Sequence, residues 1–143
     1  MKVLTTLIAA ACIIAGCNVE VKNDLPSDSL PLKGTWRLLT ATLVQNDTTT
    51  TTDYTKGREF IKIINDSHFA FLHHDLNKGA DSTAAFSAGG GTYTLKDSTY
   101  TENLQYCSDR AWEKHDFTFT VTIRNDTLVQ KGIEKIEGAN INR

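Results

Sequence analysis

The stretch Gly89-Gly-Gly-Thr-Tyr-Thr-Leu-Lys-Asp-Ser-Thr-Tyr-Thr-Glu-Asn-Leu-Gln-Tyr106 decides the fold. It divides at Asp97-Ser98 into two runs in which threonine and other polar residues alternate with aromatic or aliphatic ones. A period of two marks a strand with one buried face, and an Asp-Ser pair between two such runs marks a tight turn. The run of glycines inside the first strand predicts a bulge or a sharp bend. In the second strand Tyr100, Glu102, Leu104 and Tyr106 share one face. The other face, with Thr101, Asn103 and Gln105, is less apolar, so the face carrying Glu102 is the one expected to turn inward. A carboxylate buried there needs a partner: Arg58, Arg110 or a ligand cation.

Working outward, the same alternation recurs along the chain. Strands are expected at Thr35–Val44, Arg58–Ile64, His68–His74, Ala84–Lys96, Thr99–Tyr106, His115–Arg124 and Thr127–Lys135. The cleanest is His115–Arg124, where Phe117, Phe119, Val121 and Ile123 alternate with threonines. Phe117 and Phe119 read most simply as core, and Trp36 as a plug across a closed barrel end. The threonine run 48–52 reads as a mobile polar loop. Asn65-Asp66-Ser67, Asp97-Ser98-Thr99 and Asn125-Asp126-Thr127 share one form and join consecutive strands, because Asn and Asp tolerate positive φ. The result is an all-β, antiparallel up-and-down meander. A meander of this length buries its apolar face and removes its edges by curling into a small barrel; a two-sheet sandwich is the alternative.

The N-terminus reads differently. Lys2 precedes a short apolar run that ends Ile14-Ala15-Gly16-Cys17. That run is shorter than the ~20 residues a membrane-spanning helix needs, and it reads as an export signal. Its end resembles a bacterial lipobox, which implies cleavage after residue 16 and acylation of Cys17. Residues 17–32, with both prolines and no apolar period, read as a flexible tether, and residues 33–143 as the folded domain. The domain is about 110 residues, enough for one core. Net charge is −2, and losing Lys2 with the signal makes it −3. No basic patch points to nucleic acid. Beyond the signal and Cys17 only Cys107 remains, so no disulfide forms within the domain.

Larger motifs carry a resemblance. Gly34-Thr35-Trp36, Ile63-Ile64-Asn65-Asp66-Ser67-His68-Phe69, Gly89-Gly90-Gly91-Thr92-Tyr93-Thr94 and Tyr100-Thr101-Glu102 together resemble the lipocalin-like domains of uncharacterised Bacteroidetes lipoproteins. The resemblance implies a small antiparallel barrel with a ligand-sized interior and no established ligand. Barrels of the lipocalin type close with an eighth strand, whereas seven are expected here. The barrel therefore lacks its last strand or stays open between its first and last, and an open edge invites a homodimer. Asp28-Ser29-Leu30, Asp47-Thr48-Thr49, Asp81-Ser82-Thr83, Asp97-Ser98-Thr99 and Asp126-Thr127-Leu128 resemble the O-glycosylation motif of the same bacteria, although Asp-Ser and Asp-Thr also simply make turns.

Chemistry is sparse. His73 and His74 are adjacent on a strand and point to opposite faces, so they do not both line one metal site without a bulge, and no His-x-His or Cys-x-x-Cys spacing exists. Cys107 and His115 flank one loop, but nothing else specifies a nucleophilic site. The expectation is therefore a non-enzymatic, membrane-anchored lipoprotein of the bacterial cell envelope, on its periplasmic or surface face, without cofactor or metal. Its barrel is expected to bind a small, partly hydrophobic ligand through Tyr93, Tyr100, Glu102, Leu104, Phe117 and Phe119, which together give apolar area and a few placed polar groups. The alternative is a filled barrel that serves as an envelope interaction or accessory protein.

Overall fold

The computed structural model describes residues 30–137 and 141–143. The expectations for the signal, for Cys17 and for the tether up to residue 29 lie outside the described residues. The strands in chain order are β1 (Gly34–Arg37), β2 (Thr40–Gln45), β3 (Thr48–Asp53), β4 (Arg58–Ile64), β5 (His68–Asp75), β6 (Phe86–Lys96), β7 (Thr99–Cys107), β8 (His115–Arg124), β9 (Thr127–Gly132), β10 (Lys135–Ile136) and β11 (Ile141–Asn142). A single 3₁₀ turn, Arg110–Trp112, separates β7 from β8.

Seven strands form one antiparallel sheet in the order β1-β4-β5-β6-β7-β8-β9. From β4 onward each strand pairs with the next in sequence, the meander read from the alternation. The sheet curls nearly into a barrel and leaves one seam unsealed, between its edge strands β1 and β9. The core lies inside the curl: Ile64, Phe69, Tyr100, Leu104, Phe117 and Val121 are buried together from four strands.

The sequence reading needs three corrections here. The expected first strand breaks at Leu38-Leu39, and only β1 joins the barrel sheet. Its remainder, β2, pairs with β3, which is the threonine run read as a loop. Threonine is β-branched and favours extended backbone, and Asn46 and Asp47, with φ of 49° and 59°, supply the tight turn between the two. Composition looked like a loop; the flanking turn made it a strand.

Second, the turns do not share one form. Asn125 and Asp126 both take positive φ (47° and 58°), as a type I′ hairpin requires. At Asp97-Ser98 only Asp97 does, at 54°. At Asn65 the side chain makes the turn instead, its Oδ1 accepting from the backbone N–H of Ser67 and His68 at 2.9 and 2.8 Å.

Third, the last strand ends earlier than expected. β9 stops at Gly132, and Lys135–Ile136 pairs with Ile141–Asn142 in a small separate hairpin. Ile136 is buried in the core. The opposite end of the barrel is closed from the N-terminal side. Leu32 is buried, Leu30 packs against the core, and the Trp36 indole Nε1 donates to Leu32 O at 2.8 Å. Trp36 thus shares the plug with Leu32, and the packed chain begins before Lys33.

Candidate functional site in the barrel interior

The glycine run does what its position demands. The register between β6 and β7 shifts between Gly90 and Gly91: Gly91 faces Leu104 and Gly90 faces Tyr106, leaving Gln105 as the extra residue. A bulge reverses the side-chain parity beyond it. Tyr100, Glu102 and Leu104 therefore point inward and are buried, whereas Tyr106 points outward and is exposed. The inward placement read for Tyr106 is overturned by that one residue. Gly89 stands where an inward Cβ would lie 2.6 Å from the Phe71 ring.

Of the expected ligand-binding positions, the structure brings Tyr100, Glu102, Leu104, Phe117 and Phe119 together as interior neighbours. Tyr100 lies opposite Phe119, and Glu102 opposite Phe117. Tyr93 stands apart from that group's centre. It is half-buried near the closed end, its hydroxyl donating to Asn65 O at 2.7 Å while its ring touches that of Tyr100 at 5.3 Å.

Glu102 is charge-paired, but with neither Arg58 nor Arg110. Its partner is Lys62 on β4, whose Nζ donates to Glu102 Oε1 and, at 3.1 Å, to Gln130 Oε1 on β9. The side chains of Lys62 and Glu102 are only 14% and 9% exposed. The ammonium also lies 5.2 Å from the Phe69 ring centre and 5.3 Å from that of Tyr100, a cation–π arrangement. Lys62 and Gln130 are the interior residues that the sequence reading missed. The available signal was parity: in Phe60-Ile61-Lys62-Ile63-Ile64, Lys62 shares the face of Phe60 and Ile64.

Two buried polar atoms, the Tyr100 hydroxyl and His73 Nε2, have no hydrogen-bond partner among the described residues. Burial, and after it the neighbouring Glu102 carboxylate, pushes the Tyr100 hydroxyl well above the ordinary tyrosine pKa, so it stays protonated. Burial, with the nearby charges of Arg58 and His74, holds His73 below the ordinary histidine value. His73 belongs to a half-buried aromatic cluster at the barrel end opposite Leu32. There Phe60 stacks on Phe71 at 5.7 Å, and Tyr54, from the base of the β2–β3 hairpin, meets Phe60 and His73 edge-on.

Two grooves border the core, one at Phe119 and one at Leu32. One of about 580 Å³ runs along β8 and β9, past Thr118, Phe119, Thr120, Lys131, Ile133 and Lys135. Another of about 280 Å³ lies at the closed end between Leu32, Lys33, Asp66 and Tyr93. Neither is lined by Lys62 or Glu102. Among the described residues no three His, Cys, Asp or Glu side chains come together as a metal cage. Glu113 sits between the residues considered for nucleophilic chemistry. Cys107 N–H donates to Glu113 Oε1 at 3.0 Å, and His115 Nδ1 donates to Glu113 O at 2.9 Å. The His115 ring nitrogen is thus engaged by backbone. No protein-family model, no curated protein and no solved structure matches this chain.

Proposed function

We propose that the chain is a cell-envelope lipoprotein, held to the membrane through acylated Cys17, whose filled barrel acts through its outer surface as an interaction or accessory protein. The observation that supports this reading best is the Lys62–Glu102–Gln130 cluster. The charge that an interior ligand would have met is already satisfied by the chain itself, and the interior-facing aromatic and aliphatic residues pack on one another. Small barrels are filled in this way by their own side chains.

A second reading, a carrier for a small and partly hydrophobic ligand, is favoured by one observation. The Tyr100 hydroxyl is buried beside the ion pair without a partner, and buried polar groups normally have one. Native mass spectrometry of the chain from residue 18, compared with the denatured mass, separates the two. The filled-barrel reading expects no bound small molecule. A reproducible extra mass that leaves on denaturation sinks it and establishes the carrier.

A further inference from the structure

The outside of the sheet carries a patch that a solvent-facing surface does not need. Its first row crosses the sheet from Ile63 on β4 through Ala70 and Gly90 to Tyr106 on β7. The next row runs from Ile61 through Leu72 to Ala88, with Phe86 one step beyond. Neither row holds a charged side chain between β4 and β7. Tyr106 is 69% exposed, Phe86 72%, Leu72 43% and Ile63 41%. Scattered exposed apolar residues are ordinary; a contiguous patch marks an interaction site.

Two features of the sequence build it. β4 places two isoleucines, Ile61 and Ile63, on the outward face beyond Glu59, where an exposed strand would ordinarily alternate to polar residues. The bulge at Gln105 then turns Tyr106 out of the core and onto this face. The middle of the patch is low. A Cβ on Gly90 would lie 2.6 Å from Phe69 O, so the Ala70–Gly90 row is a trough by backbone geometry. Ile63 and Tyr106 rise at its two ends in the same row, and Leu72 on β5 and Phe86 on β6 rise along one side of it.

We propose that a second copy of this chain covers this face, the two sheets stacking through the trough and its flanking ridges in an isologous dimer. A trough beside a ridge is complementary to itself under a two-fold rotation. The centre of the patch brings no like charges together although each copy has the same net negative sign, and the charge at its rim is of both signs, with Glu59 and His74 in the row of Phe86 and Arg37 opposite Ile61. The four most exposed side chains present on the order of 500 Å². With Ile61, Ala70, Ala88 and the rim they approach the roughly 800 Å² per partner that a stable dimer buries. This inference concerns the outside of the sheet and holds for a filled or a hollow interior.

The test is sedimentation velocity on the chain from residue 18, which retains every described strand, across a concentration series. A monomer–dimer equilibrium is expected. Tyr106→Asp and Phe86→Asp, on different strands and both solvent-facing, should each keep the wild-type circular-dichroism spectrum and melting curve while weakening dimerisation by at least about 100-fold. A wild type that is monomeric at every concentration overturns the proposal. So does a dimer that survives both variants, which would point to the β1–β9 seam. A monomer that floats with phospholipid vesicles overturns it too, in favour of a lipid surface.

Discussion

Lys62 and Glu102 lie on strands that share no backbone hydrogen bond, with two strands between them in the sheet, yet their side chains meet inside the barrel. They meet only because the sheet curls. The pair therefore spans the interior, and Gln130 extends its reach to the far edge strand.

Removing one member of that pair strands the other in the core. Glu102→Leu and Lys62→Met should each lower unfolding free energy by about 3–5 kcal/mol. The double variant Lys62→Met/Glu102→Leu should cost less than the more damaging single change, because no charge remains to be desolvated. Urea denaturation of the four proteins measures this; single-variant losses that simply add would show that the residues do not act as a pair.

Tyr100→Phe should not destabilise the protein. The hydroxyl it removes is buried without a partner, and such a group costs about 1–3 kcal/mol. An increase of up to about 1 kcal/mol is expected by the same assay. A loss of that size would reveal a partner for the hydroxyl.

The glycine run should tolerate almost nothing. Alanine at Gly91 would drive its Cβ into the backbone carbonyl of Asn103, and at Gly89 into the Phe71 ring. Gly91→Ala is expected to cost 3 kcal/mol or more, on the order of a severe overpacking change. Thr94→Ala, at an exposed position on the same strand, should by comparison change the melting temperature little. Thermal melts of the three variants give the ranking.

Acid should loosen the 76–85 loop, with Asp75 as its tie to the end of β5. The Asp75 carboxylate accepts from the backbone N–H of Gly79 at 2.7 Å and of Ala85 at 3.0 Å, tying the 76–85 loop to the end of β5. Those two bonds hold its pKa below the ordinary carboxylate value. The stabilisation is thus fully present above the unfolded carboxyl pKa of about 3.9 and disappears as pH falls from there through the lower folded value. Asp75→Asn should lose less melting temperature than wild type between pH 6 and pH 2. The slope will shrink but persist, because Asp53, Asp81 and Glu113 are lowered in the same direction. Equal slopes would remove Asp75 from the account.

What could be read from the sequence was local and periodic. Phe117, Phe119 and Val121 point inward as their alternation requires, and so do Tyr100, Glu102 and Leu104. The glycine run announced its bulge. Beyond the bulge the alternation misled, since an extra residue such as Gln105 carries no signal of its own and Tyr106 changes face because of it. The threonine run misled in another way, because polarity outweighed β-branching in the reading. The pairing of Lys62 with Glu102 was out of reach for a third reason. The two lie forty residues apart, and only closure of the sheet, a property of the whole chain, brings them together. Sequence parity can place a residue inside but cannot say whom it meets there.

A closed barrel has no end to its ladder of hydrogen bonds and must rupture somewhere before it can unroll. Here the ladder already ends, at β1 and at β9. Unrolling can begin by fraying from either side, one hydrogen bond at a time, while β6 and β7 at the middle hold longest. Amide exchange should be graded accordingly, fastest in the outer strands and slowest around Tyr93 and Tyr100, so that the molecule loosens from a fixed place each time.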